Sequence, residues 1–169
     1  MPPKIEKVVV TTPELEKYAF SSLKKWVKTV ESHRVLKTRV FGAEALKEKR
    51  TFQVDLTLCA APRMTKLNHQ YRGKKEPTDV LSFAADDFFQ GQGVLGDIVI
   101  CTPVVLKQAR EFNHSWKKEM DVLIVHGLLH LLRFDHELGV KEAQEMAKWE
   151  KKLLGVSARV SLITRASVR

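Results

Sequence analysis

Apolar and polar positions change period several times along this chain, and each change predicts an element. Ile5 to Val10 (IEKVVV) reads as a first strand. From about Glu14 to Glu31 the apolar residues Leu15, Ala19, Leu23, Trp26 and Val30 recur at helical spacing, after a Thr12-Pro13 start with Glu14 and Glu16 in the first turn. Lys24, Lys25 and Lys28 lie largely off that stripe and read as a solvated face rather than an RNA contact. Residues 34–50 are ambiguous: RVLKTRVFG suits a short strand, and AEALKEKR a helical turn or two. TFQVDLTLCA then alternates cleanly, with Phe52, Val54, Leu56 and Leu58 on one face, as a half-buried strand does.

Pro62 opens a short helix, RMTKLNHQYRG, which Gly73 stops. VLSFA is a further strand, DDFFQGQGVLGD reads as a loop, and LGDIVICT as another apolar strand. Pro103 starts a helix reaching about Phe112, and Ser115 is positioned to cap the next one. That next helix is apolar nearly all round from Val122 to Leu132, the pattern of a central, buried element. VKEAQEMAKWEKKLLG gives a final helix ended by Gly155, and the tail VSARVSLITRASVR suits either an added strand or mobile chain. Strands early and helices mostly later predict an α+β fold: a small mixed sheet of about four strands packed with about five helices.

The candidate chemistry lies in the buried helix. Asp121 to His136, DVLIVHGLLHLLRFDH, contains three of the six histidines. His126 and His130 are four residues apart, so both imidazoles fall on one helix face, one turn apart. His136 follows six residues later, where Arg-Phe-Asp reads as the turn that folds the chain back. Three imidazoles with no fourth protein ligand nearby are the donor set of a catalytic zinc site with an open position. Imidazole also accepts nickel, copper or iron. A protease of the HExxH type needs a glutamate directly after the first histidine, and here that residue is Gly127, which serves close packing or close approach of a substrate backbone. Asp135 and Glu137 flank His136 and either orient a ligand ring or are turn and surface carboxylates.

Composition changes this picture little, except in charge. The chain has 169 residues, a length suited to one domain, and 44% hydrophobic and 29% charged residues, as in ordinary globular proteins. Apolar runs are too short to span a bilayer, and the charged, proline-broken start is unlike a signal peptide, so a cytoplasmic protein is expected. Cys59 and Cys101 read as reduced, buried thiols. Lys and Arg outnumber Asp and Glu by 29 to 20, a net charge of +9, which favours a polyanionic partner, nucleic acid before membrane.

Several segments resemble the YbeY family of metal-dependent endoribonucleases, which take part in ribosomal RNA maturation. HGLLHLLRFDH is similar to the family's His-Gly-x-x-His-Leu-x-Gly-Tyr-Asp-His signature. LNHQYRGKKEPTDVLSF resembles its Leu-Asn-x-x-Tyr-Arg and Pro-Thr-Asp-Val-Leu-Ser-Phe segments, LGDIVI its Leu-Gly-Asp-Ile strand, and EAQEMAKWEKKLL its closing helix. The likeness runs in order from about Lys66 to Leu154; residues 1–50 match only in pattern, and 156–169 form a tail. It implies one metallo-endoribonuclease domain over 1–169, one Zn2+ held by His126, His130 and His136, and a catalytic role for Arg72. It also implies single-strand-specific cleavage in 16S ribosomal RNA processing and ribosome quality control, with small-subunit ribosomal proteins and an assembly GTPase as partners.

From chemistry alone, Arg72 is either a surface ion pair with Glu76 or Asp79, or a guanidinium that clamps a phosphodiester. Lys66, Lys74 and Lys75 are candidates to extend a phosphate-binding surface. His114 either lines the cleft or ends the preceding helix, and Asp79 reads as a brace for its turn. Arg133 stands where the family has glycine; if the backbone there has positive φ, arginine costs roughly 1 kcal/mol, and its charge is available to RNA. The competing readings are a zinc-dependent peptide or amide hydrolase and a non-catalytic ribosome-assembly factor with structural zinc.

Overall fold

One helix organises the architecture. In the computed structural model, which describes residues 11–42 and 51–155, helix α6 (Trp116–Leu131) is enclosed by α1 (Pro13–Ser32), α5 (Thr102–Glu111), α7 (Val140–Leu154) and one face of a sheet. Val122 to Leu129 are buried without interruption, which accounts for the helix being apolar around its circumference. Ser115 caps its start by accepting from the Lys118 N–H at 3.2 Å. Thr12 does the same for α1, accepting from the Leu15 N–H.

A polar fastening sets how α1 lies on α6. Asp121 accepts from Tyr18 Oη at 3.2 Å, Trp26 Nε1 at 3.1 Å and the Ser22 hydroxyl, so a single carboxylate gathers three donors from one face of α1. Burial, then the neighbouring Asp121 charge, pushes the Tyr18 phenol up to about 12, so it remains a donor at neutral pH.

The sheet has three strands among the described residues, in the order β1-β3-β2: β1 (Gln53–Cys59), β2 (Val80–Ala84) and β3 (Val94–Cys101). β3 lies in the middle, parallel to β1 and antiparallel to β2. Its two covered faces explain the unbroken apolar run IVIC: Ile98 and Ile100 join the main core, Val99 and Cys101 a smaller one with Cys59, Met64 and Leu81. Cys59 and Cys101 are neighbours in register and both thiols are free. Two glycines permit close approach. A Cβ on Gly127 would sit 3.0–3.1 Å from Ile98 and Ser82 side-chain atoms, so glycine there lets α6 settle onto the sheet. A Cβ on Gly96 would meet the Phe83 carbonyl oxygen at 2.0 Å.

The α+β class with a small mixed sheet is as expected; three strands are described, and the expected strand Ile5–Val10 lies outside the described residues. Several expectations are corrected. Seven helices are described rather than about five. RVLKTRVFG is not a strand: Arg34–Phe41 forms α2, whose apolar Leu36 faces the core, while AEALKEKR lies outside the described residues. The DDFFQGQG loop contains a short helix, α4 (Asp87–Gly91), capped by Asp86, which accepts from the Phe89 N–H. The α3 helix (Ala61–Arg72) is as expected, with Gly73 in the left-handed region just past its end. The tail beyond Gly155 lies outside the described residues.

The end of α6 resolves the question of Arg133. Its φ is +67°, and the Arg133 and Phe134 N–H groups donate to the His130 and Leu129 carbonyls. This is a Schellman turn with arginine where glycine is usual. The side chain runs to α4, where Nε donates to Gln90 Oε1 at 2.8 Å and an Nη pairs with Asp87. Gln90 is buried and donates in turn to the Leu95 and Leu131 carbonyls, so Arg133 satisfies an acceptor that has lost its water. Arg133→Ala should therefore lose about 1 kcal/mol by stranding Gln90 Oε1 while keeping the backbone strain. Arg133→Gly should be more stable than the alanine variant by about 1 kcal/mol in urea melts, and equal stabilities would refute the strain.

Candidate metal centre

Helical spacing delivers the first two histidines. His126 and His130 project from successive turns of α6, with ring centroids 4.7 Å apart. The Schellman turn then reverses the chain, Phe134 anchors it in the core, and His136 comes back with its ring 5.1 Å from that of His130 and 5.4 Å from that of His126. One nitrogen from each ring lies within 4.8 Å of the other two. His126 is buried, and His130 and His136 are partly exposed, so the cluster is open to solvent on the side of those two rings.

The best-oriented ring is held by a residue that sequence reasoning missed. His126 Nδ1 lies 2.6 Å from Oε1 of Glu150 on α7, whose side chain is fully buried. A carboxylate only accepts, so Nδ1 carries the hydrogen and Nε2 presents its lone pair. That Nε2 is 3.1 Å from Nε2 of His130. Two lone pairs aimed at each other repel unless a cation or proton lies between them. Tetrahedral zinc with bonds near 2.0–2.1 Å would set its ligand nitrogens roughly 3.3–3.4 Å apart, so the pair is close to the spacing the ion requires. The second Glu150 oxygen has no hydrogen-bond partner among the described residues, as befits a carboxylate whose charge serves a nearby cation. The donor set therefore fits a divalent metal, held by His126, His130 and His136 with Glu150 behind the first.

The flanking acids have other work. Asp135 accepts from the Glu137 N–H at 2.8 Å and so shapes the turn that carries His136; Glu137 is exposed. Orientation of a ligand ring falls to Glu150, not to them.

Electrostatics keep the triad ready for metal. Burial first, and then the neighbouring His126 and His136 rings, hold His130 down at about 3. His136 is lowered too, by burial and then by His126, with Glu137, Asp135 and Glu150 opposing. Neutral imidazole is the metal-binding form, so proton competition at His130 is weak at neutral pH.

Arg72 ends α3, is exposed, and is close enough to His130 to contribute to lowering its pKa. No ion pair forms with Glu76 or Asp79 among the described residues; Asp79 instead accepts from the Val80 N–H and from Gln108 Nε2, bracing its turn. Buried Asn68 ties α3 to the following turn through the Glu76 carbonyl at 2.7 Å. Lys66, Lys74 and Lys75 are exposed, and Lys74 shares a cavity of about 410 Å3 with Arg72. His114 is not brought to the triad. It pairs with buried Glu119 in the first turn of α6, about 10 Å along the axis from His126 at 1.5 Å per residue. Arg133 is bound to α4 as described.

A family model described as Endoribonuclease YbeY matches residues 16–157. The chain belongs to this family. Among YbeY relatives, the Endoribonuclease YbeY of Bacillus subtilis is 39% identical over 123 residues, covering 68% of this chain and 78% of that protein. That of Bacillus pumilus is 38% identical over 121 residues, covering 66% and 76%. That of Aquifex aeolicus is 47% identical over 88 residues, covering 52% and 59%. A solution structure of a Thermotoga maritima protein is similar at 33% identity and a TM-score of 0.49, covering 79% of this chain and 80% of that one. The YbeY match begins within α1, so it takes in residues 16–50, which the sequence motifs left without specific support.

Two outcomes test this centre. Glu150→Gln keeps the side-chain shape but removes the charge behind His126, and should lower zinc affinity about 10–100-fold in a competition titration. Metal-free stability should not fall with it, since a buried and half-satisfied carboxylate is removed; unchanged affinity would remove Glu150 from the site. The second outcome concerns pH. A histidine held at about 3 in the fold and 6.5 when unfolded leaves the unfolded chain binding more protons between those values. Metal-free protein should lose stability as pH falls from about 6.5 towards 3, and His130→Asn should flatten that slope in denaturant melts.

Proposed function

We propose that this YbeY-family chain is a zinc-dependent endoribonuclease that cuts single-stranded RNA during 16S ribosomal RNA maturation and ribosome quality control. The observation that carries the reading is the three-imidazole cluster on a buried helix, backed by Glu150, in a chain matched to Endoribonuclease YbeY over residues 16–157. The family makes it a hydrolase of phosphodiester bonds.

A zinc ion on His126, His130 and His136 would supply Lewis acidity, lowering the pKa of water and polarising a phosphoryl oxygen. The chain's own residues do the rest. Arg72 presents a guanidinium near His130 and grips the phosphodiester, matching the charge that grows on its oxygens at the transition state. Lys66, Lys74 and Lys75 extend that cationic surface along the strand, in keeping with a net charge of +9. Glu150 fixes the tautomer of His126. Gly127, where a protease has its glutamate, is occupied in packing against Ile98 and Ser82, so the amide-hydrolase alternative lacks its base there.

One domain across 1–169, a cytoplasmic location, and small-subunit ribosomal proteins with an assembly GTPase as partners complete the proposal. Among the described residues no helix is long and apolar enough to cross a membrane.

Purified protein on an end-labelled structured RNA tests it. Wild type should cleave single-stranded segments, Arg72→Ala about 10²–10³-fold more slowly, and His130→Ala or chelated protein not measurably. Cleavage no faster than in those controls would leave the assembly-factor reading in its place.

A further inference from the structure

Two cavities bear on the substrate path. Arg72, Lys74 and Lys107 line the smaller one together with Glu76, Asp79 and Glu111, so it offers cations to a phosphate within a mixed wall. His130 lines the other, of about 950 Å3, together with Ser82, Phe88, Phe134 and Leu138. Among the described residues, Arg133 is the only Lys or Arg in the wall of this larger cavity, and it is committed to Gln90 and Asp87. The carboxylates of Asp86 and Asp135 face it as well, so phosphate is disfavoured.

What the larger cavity offers is an aromatic face. Phe88 is 71% exposed, an unusual state for so large an apolar side chain beside a reaction centre. Its ring lies edge-on to that of Phe89, with centroids 5.4 Å apart, and the helix that carries both is fastened. Asp86 caps the helix that carries them, and buried Gln90 fastens it to the Leu95 and Leu131 carbonyls and to Arg133. Leu138, 76% exposed, adds a second apolar wall. An exposed aromatic on a fastened helix, beside a cavity walled by carboxylates, suits a flat, neutral ring system.

We infer that this cavity receives an unpaired nucleobase adjoining the scissile phosphate, with Phe88 as its stacking face. The inference rests on the endoribonuclease reading and names a substrate subsite for it. Phosphates then follow the Arg72 side, and the base turns into the Phe88 side. A base within a duplex has both faces covered by its neighbours, so a pocket that stacks one base selects for single strands. Arg133 becomes a positioning residue: its strained backbone and its bond to Gln90 hold the platform that carries Phe88.

The test pairs protein variants with substrate variants. Wild type, Phe88→Ala and Phe88→Trp are compared on a labelled single-stranded oligoribonucleotide. Matched oligomers carry an abasic ribose at each nucleotide position in turn. Anisotropy on metal-free protein reads binding, and steady-state cleavage by zinc-loaded protein reads KM and kcat. Phe88→Ala should weaken binding and raise KM about tenfold on the intact oligomer while changing kcat little, and Phe88→Trp should restore both. With one of the abasic oligomers, wild type and Phe88→Ala should bind equally. Unchanged binding of intact RNA by Phe88→Ala, or a loss that persists with every abasic oligomer, overturns the pocket; the first result would assign the aromatic pair to a protein partner. Failure of wild type to cut RNA strikes the nuclease reading alone, because the anisotropy arm still decides the pocket.

Discussion

A helix that is apolar around its whole circumference must be enclosed on every side, and α6 also carries imidazoles that cannot be buried without partners. Both demands are met by the same neighbours. The α7 helix covers one flank and brings Glu150 to His126, while the sheet covers another because Gly127 has no side chain to hold it off. Asp121, near the other end, gathers three donors from α1 and fixes that flank. Near the C-terminal end of α6 the neighbours leave His130 partly exposed, and the turn beyond it brings the partly exposed His136 alongside. The metal centre thus sits where a buried helix face meets an uncovered turn.

What could be seen in advance was whatever lies close in sequence. The triad spans eleven positions, so helical spacing and one turn sufficed to name it. Glu150 is 24 residues from His126 on an amphipathic helix with several other acids, and nothing local distinguishes it from Glu142 or Glu145. A signal was present nonetheless: on α7 it is one of three residues buried with Met146 and Trp149, so it falls in the apolar stripe where an acid is out of place. The α2 segment misled for another reason. RVLKTRVF is rich in β-branched residues, and its helix is short, lacks a side-chain cap and gains its purpose from tertiary contacts. Arg39 lies over the Phe134 ring at 3.9 Å and bonds the Arg133 carbonyl and Glu142, so α2 clamps the turn that delivers His136. In α4 the acids and glycines signalled a loop, although Asp86 three residues before Phe89 was a capping pattern.

Arg133 shows how one position can be locally unfavourable and globally sensible. Its left-handed backbone costs roughly 1 kcal/mol that glycine would not incur. The bond to Asp87 does little to offset this, since both side chains are well exposed and such pairs contribute about 0–1 kcal/mol. The bond to Gln90 matters more, because an acceptor buried without a partner costs about 1–3 kcal/mol. On those magnitudes the exchange is near neutral for stability. What the arginine adds is therefore not stability but a fixed connection between the end of the metal helix and the short helix bearing Phe88 and Phe89. A glycine could end α6 equally well; it could not hold α4 in place.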